Sequence, residues 1–202
     1  FRGRWAKPQY ASLHRHSKVR TQNPATLTAI QRQDPFSMRR LTLARHAKSS
    51  WNDAGLSDFD RPLNNRGLRD APFMAKRLAA LERKPDLIVS SPAVRALTTA
   101  RHYAECLPDI RFREDPRIYD ASTQSLIQVV CELGDDSSHA LLVGHNPGFS
   151  DLACWLATCP FQEMPTGAFA VIELNIAQWS ELSGGCGRLV DYLYPKDGEN
   201  RA

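Results

Sequence analysis

Three short apolar runs constrain this chain more than any other feature: Leu41-Thr42-Leu43-Ala44, Asp86-Leu87-Ile88-Val89-Ser90 and Ala140-Leu141-Leu142-Val143, each followed within five residues by Arg or His. Runs this short and continuously apolar read as strands of a sheet covered on both faces. Helical patterns lie between them. Asn64 can cap a helix over 65–83, in which Leu68, Ala71, Met74, Ala75 and Leu78 recur at helical spacing. Pro92 stands where a first-turn proline opens a helix running to Cys106. Ser122 can cap a helix over 124–133, and another follows over 148–157. Further strands are expected at 110–112, 168–174 and 187–194, the last two joined through Ser183-Gly184-Gly185. Strands alternating with helices predict a three-layer α/β/α fold around a mostly parallel central sheet.

The three runs deliver their polar residues at one end. The first passes into Arg45-His46-Ala47-Lys48, the second into Pro92-Ala93-Val94-Arg95, the third into Gly144-His145-Asn146-Pro147-Gly148. Ligands of open α/β sheets bind beyond the carboxyl ends of the strands, so Arg45, His46, Arg95 and His145 are expected to converge there. That set suits phosphoryl transfer. Charge spreads over three equatorial oxygens in line with nucleophile and leaving group. Guanidiniums present forked donors to those oxygens, and a helix N-terminus behind Pro92 would add N–H groups and a favourable dipole. A neutral imidazole can attack phosphorus and hold the group covalently; a second can bind a phosphate oxygen or pass a proton. Taken singly, an Arg-His pair, a helix arginine or a Gly-His-Asn-Pro-Gly turn is commonplace. Their joint placement after three apolar strands is the informative observation.

The segments LTLARHAKSSW, DRPLNNRG, LIVSSPAVRALTTA and LLVGHNPGFSDL resemble the histidine phosphatase superfamily, with its phosphoglycerate mutase-like fold. More closely, they are similar to the SixA-type phosphohistidine phosphatases, from about Met38 to about Lys196. The resemblance implies that His46 is the phosphorylated nucleophile, that Arg45 and Arg95 clamp phosphate, that His145 is the second pocket histidine, and that Lys48 meets an anionic substrate. It also implies a fold without large helical insertions. Two departures stand out. Position 47 is Ala where the wider superfamily has Gly, which is usual in the subgroup. Relatives acting on phosphate esters carry an acid between the second Arg and the second His; here the candidate general acid is Asp120, with Glu114 and Asp115 weaker and a helix-cap role for Asp120 the plain alternative. A phosphoramidate needs less acid assistance than an alkoxide, so the expected substrate is phosphohistidine in a protein. The alternatives are a small phosphate ester, with Asp120 as acid, or a phosphate- or phosphopeptide-binding module without turnover. The mechanism calls for no cofactor and no metal.

Composition limits the rest. The chain has 202 residues, enough for one domain with some excess. Residues 1–37 hold seven of the Lys/Arg and only one acid, Asp34, a net +6; the other 165 residues carry nineteen basic and twenty-one acidic side chains. The positive charge thus belongs to the tail, and no nucleic-acid partner is expected for the domain. Residues 1–37 are expected to form a basic, disordered extension to a histidine phosphatase domain at 38–202. The tail is either a transit-type leader or sequence upstream of a natural start at Met38. Five cysteines without a CxxC pair predict reduced thiols and a cytoplasmic protein, and no run of apolar residues is long enough to suggest a membrane partner. Trp51, Trp155 and Trp179 are expected as packing residues, with the pocket rim the alternative for Trp51, and Asp58, Asp60 and Arg61 in either a loop beside the site or a solvated turn.

Overall fold

The computed structural model describes residues 38–198, with side chains to 196. The expectations for residues 1–37 and 199–202 lie outside the described residues. The element order is β1 (Arg39–Arg45), α1 (Asn65–Ala79), β2 (Leu87–Ser90), α2 (Val94–Cys106), β3 (Arg111–Glu114), α3 (Thr123–Cys131), β4 (His139–Gly144), α4 (Gly148–Leu156), β5 (Phe169–Leu174) and β6 (Gly187–Leu193).

The six strands form one sheet in the order β3-β2-β4-β1-β5-β6. Strand β4 pairs in parallel with β1, placing Arg45 opposite Gly144, and in parallel with β2, placing Ser90 opposite Val143. Strand β5 runs antiparallel to β1 and β6 antiparallel to β5, so β5 alone opposes the common direction. The sheet is mixed but mostly parallel, as the alternation of apolar runs and helices predicts.

Period-two alternation sorts the strand side chains onto two faces. Leu41, Leu43, Leu87, Val89, Ala140 and Leu142 pack with Leu126, Val129, Phe149 and Leu152 of α3 and α4. Ala44, Ile88, Leu141 and Val143 pack with Met74, Leu78, Ala96, Ala100 and Tyr103 of α1 and α2. Each buried Leu, Ile or Val in these layers contributes roughly 2 kcal/mol by removal from water.

Local signals act as their chemistry dictates, with three corrections. The Asn64 side chain accepts from the Gly67 N–H at 2.9 Å, capping α1, and Ser122 caps α3 through the Ser125 N–H. Helix α1 ends at Ala79 rather than at 83, and Leu68 is half exposed instead of joining Ala71, Met74, Ala75 and Leu78 in the core. Its spacing fits the helical period, but the buried stripe is narrow. Helix α2 begins at Val94 with Ala93 as its cap, so Pro92 precedes the helix instead of occupying its first turn. Strand β3 is Arg111–Glu114, one to two residues later than its apolar Ile110 suggests.

One glycine sets how closely α1 approaches the sheet end. A Cβ at Gly67 would fall inside the van der Waals envelope of the Lys48 carbonyl oxygen. That same oxygen accepts the Asn64 N–H at 2.9 Å, so the segment following β1 is fastened against the start of α1.

Candidate active site

The strand order puts β2, β4 and β1 side by side, and Arg95, His145 and the Arg45-His46 pair follow them at their carboxyl ends. The structure brings all four together in a pocket of about 210 Å³, lined also by Asp58, Tyr119, Asp120 and Asn146. His46, Arg95 and His145 form a buried floor.

His46 is fixed through its backbone. Its N–H donates to the Gly144 carbonyl at 3.0 Å, and its carbonyl accepts from the Gly167 N–H at 3.0 Å. Its Nδ1 lies 2.7 Å from the Ala47 carbonyl oxygen. A carbonyl only accepts, so Nδ1 carries the hydrogen and Nε2 keeps its lone pair. Arg95 Nε donates to that Nε2 at 3.3 Å, a long contact that an incoming group can replace. Burial pushes the His46 pKa down to about 3; the Ala47 carbonyl works the other way, and His145, Arg95 and Arg45 lower it further. The imidazole is neutral across the physiological range.

His145 stands with its ring centroid 5.0 Å from that of His46. Arg95 Nη2 approaches its Nδ1 at 3.3 Å, and its Nε2 lies 2.8 Å from Ser91 Oγ. Guanidinium nitrogens only donate, so Nδ1 accepts and Nε2–H donates to Ser91. Burial, followed by the Arg95 charge, lowers the His145 pKa to about 4.

Arg45 Nη1 donates to Glu163 at 2.9 Å and to the Met164 carbonyl at 2.5 Å. Its Nε is buried without a hydrogen-bond partner among the described residues. A cationic donor left in this condition is costly and favours an anion beside it. Asn146 Nδ2 braces the same 163–164 segment, donating to Glu163 at 3.2 Å and to Met164 at 3.0 Å.

The opening N–H groups of α2 are engaged elsewhere: Val94 donates to the Phe59 carbonyl at 3.1 Å, while Ala96 and Leu97 turn back onto Ala93. The helix terminus expected to meet phosphate is therefore occupied at these positions, and the Arg95 side chain reaches the pocket instead. Thr99 ties the parts together, accepting the Ala47 N–H at 3.1 Å and donating to the Arg95 carbonyl at 2.7 Å.

The remaining candidates separate. Asp120 lines the pocket with an exposed side chain, and its φ of +46° is uncommon for a residue other than glycine. Ser122, not Asp120, is the helix cap. Asp115 is buried in ion pairs with Arg113 and Arg117 and caps the Pro116–Ile118 turn, and Glu114 lies on the exposed edge strand; neither lines the pocket. Lys48 lines a neighbouring groove of about 480 Å³ with Trp51, Asn64 and Arg66 rather than the pocket of the two histidines. Trp51 is 74% exposed and stacks on the Arg61 guanidinium, 3.3 Å from its ring centroid.

Asp58 and Arg61 belong to a loop at the site, not to a free turn, whereas Asp60 among the described residues bonds within the loop, to Ser57. Arg61 is buried and holds Ser49, the Ser50 carbonyl and Asp58. Tyr119, Ser91, Asn146 and Glu163 also contribute. Their roles depend on which loops meet, and no sequence spacing announces that.

A family model described as histidine phosphatase superfamily (branch 1) matches residues 41–126. The Mycobacterium tuberculosis protein Rv1276c is 33% identical over 162 residues, covering 75% of this chain and 99% of that one. The chain belongs to the histidine phosphatase superfamily. A chloroplastic Arabidopsis thaliana protein, At3g52155, is 31% identical over 79% of this chain and 78% of its own. Among solved structures, the protein described as phosphohistidine phosphatase SixA from Agrobacterium tumefaciens superposes with a TM-score of 0.65 at 28% identity, covering 78% of this chain and 98% of that one. Membership and the SixA-like fold support a phosphatase with histidine-based catalysis. Among the described residues no helix is long and apolar enough to cross a membrane.

Proposed function

We propose that the chain is a phosphohistidine phosphatase working through a phosphorylated His46. The observation that carries this reading is the neutral His46, its Nε2 lone pair facing the Arg95 guanidinium beside His145. In the proposed reaction Nε2 forms a bond to phosphorus as the bond to the substrate's imidazole nitrogen breaks. Arg45 and Arg95 take the non-bridging oxygens, and His145 Nδ1 takes up a proton from solvent as the phosphoryl dianion arrives and donates it to a further oxygen. The departing imidazole takes its proton from solvent. Water then attacks the phosphorylated His46, releasing orthophosphate and restoring the imidazole. The pocket is small and its rim residues Asp58 and Asp120 are exposed, which suits a phosphoryl group presented on a protein surface. Lys48, in the adjoining groove, is placed to meet an acidic part of that surface. The solved relative named for phosphohistidine hydrolysis supports the same substrate.

A second reading is favoured by Asp120: a carboxyl at the rim can protonate an alkoxide, which points to a small phosphate ester. Residues 38–202 are proposed as the catalytic domain and 1–37 as a basic extension to it. Five free thiols support a reducing compartment such as the cytoplasm.

The deciding experiment measures hydrolysis of a phosphohistidine-bearing protein and of a panel of phosphate esters, in EDTA, by wild type, His46→Ala and Asp120→Ala. Preference for phosphohistidine, abolished in His46→Ala and nearly unchanged in Asp120→Ala, is the expected result. A preferred ester whose turnover falls about 10²-fold in Asp120→Ala moves the assignment to the second reading. Activity surviving in His46→Ala removes the covalent mechanism, and no turnover of any substrate leaves a phosphate-binding module.

A further inference from the structure

The Arg95 clamp is already engaged by an anion of the protein itself. Arg95 Nη2 donates to Asp58 Oδ2 at 2.8 Å, and Arg95 Nη1 donates to the Asp58 backbone carbonyl. The same Oδ2 accepts the Tyr119 hydroxyl at 3.0 Å, while Oδ1 accepts from Arg61 Nη1 at 2.7 Å. A carboxylate and a phosphoryl group make the same fork-to-fork demand on a guanidinium. Arg95 is buried, with its Nε on His46 and its Nη2 also near His145, so an arriving phosphoryl needs donors that Asp58 holds.

The carboxylate is charged when the substrate arrives. Desolvation works to raise its pKa, but hydrogen bonds from Arg95 and Tyr119 and the charges of Arg95 and Arg61 outweigh it and hold the group below the usual carboxylate range. An ionised Asp58 has no proton to give a leaving group. It repels a phosphate dianion while masking the charge that would attract one. It can also move. Residues 51–58 are all exposed, and the Phe59 carbonyl on Val94 N–H and buried Arg61 keep the loop attached when the Asp58 carboxylate leaves Arg95.

We infer that Asp58 is a specificity-determining residue of this pocket: its carboxylate occupies the Arg95 clamp in the free protein, a phosphoryl group binds by displacing it, and bare orthophosphate is therefore held weakly. This rests on the reading of Arg95 as a phosphate clamp. A phosphorylated protein brings additional contacts that offset the displacement, and a free phosphate ion brings none. The product orthophosphate is correspondingly easy to release.

The test measures binding of orthophosphate by calorimetry, and inhibition by orthophosphate and orthovanadate of aryl phosphate hydrolysis, in wild type, Asp58→Asn and Tyr119→Phe. Asparagine keeps the size and the backbone carbonyl but removes the charge. Orthophosphate is expected to bind Asp58→Asn at least about tenfold more tightly than wild type, as loss of a like charge in a partly buried site requires. Tyr119→Phe, which frees the carboxylate from one partner, shifts affinity the same way by a smaller factor. Unchanged or weakened binding in Asp58→Asn overturns the inference and makes Asp58 a residue that merely positions Arg95. Orthophosphate binding that survives unaltered in both variants sinks the inference but leaves the phosphatase reading intact. Absence of orthophosphate and orthovanadate binding in every protein removes both.

Discussion

Acidification gives a quantitative check on His46 as the proposed nucleophile. His46 is pushed down to about 3, first by burial, with His145, Arg95 and Arg45 adding to the shift. An imidazole with the ordinary pKa near 6.5 is only about 3% neutral at pH 5, whereas one titrating near 3 is about 99% neutral, a difference of roughly 30-fold in competent nucleophile. The assay is the ring Cε1–H resonance of His46 followed by NMR from pH 8 to pH 4.5, assigned by its loss in His46→Gln. No inflection is expected in that range. In parallel, the rate constant for phosphoenzyme formation from an aryl phosphate, measured by rapid quench and corrected for substrate ionisation, should change less than about threefold between pH 7 and pH 5. An inflection near pH 6.5, accompanied by a roughly 30-fold fall in that rate constant at pH 5, would refute the argument that the pocket keeps this histidine neutral.

Two further outcomes follow from packing and burial. His139 is buried against Thr42 Oγ1, its Nε2 2.8 Å away, and burial together with the Arg40 charge lowers its pKa to about 4. A group whose folded pKa is depressed while its unfolded value stays near 6.5 gives its full stabilisation above pH 6.5 and loses it as pH falls towards 4, about 2 kcal/mol of it by pH 5. Urea midpoints of His139→Gln should therefore drop less between pH 7 and pH 5 than those of wild type, and equal drops would contradict a neutral buried His139. Gly67→Ala forces α1 away from the Lys48 carbonyl. Overpacking of this kind costs about 1–3 kcal/mol, so thermal denaturation should show a Tm lower by roughly 5 °C, and an unchanged Tm would mean the contact relaxes freely.

Much of this architecture is legible before any coordinates are known, because its signals are local. Asn64 and Ser122 announce their helices through capping chemistry, and both caps form. The apolar runs announce buried strands because a doubly covered sheet leaves no polar face. Arg45, His46, Arg95 and His145 converge because each follows a strand of known direction. What escapes is whatever depends on loop against loop. Nothing near Asp58 in sequence indicates that its carboxylate meets Arg95 and Tyr119, which lie at positions remote from it along the chain. Lys48 is only two residues from His46 yet faces the adjoining groove, since β1 ends at Arg45 and strand alternation no longer orders the side chains beyond it. Pro92 shows the limit of a statistical signal: the proline rule places it in the first turn, but Ala93 is the cap.

The strand order also bears on how this protein comes into being. Strands β1 and β2 are made first, yet in the sheet they are not neighbours; β4 fills the place between them. In the finished sheet β1 and β2 stand about 10 Å apart with β4 between them, and until residue 144 has been synthesised and inserted nothing sets that spacing. A ribosome-bound chain shorter than this holds His46 and Arg95 with no fixed distance between them. The proposed site is complete only later still, because Arg45 also holds Glu163 and the Met164 carbonyl and His46 accepts from Gly167, so a nascent chain short of residue 167 lacks it.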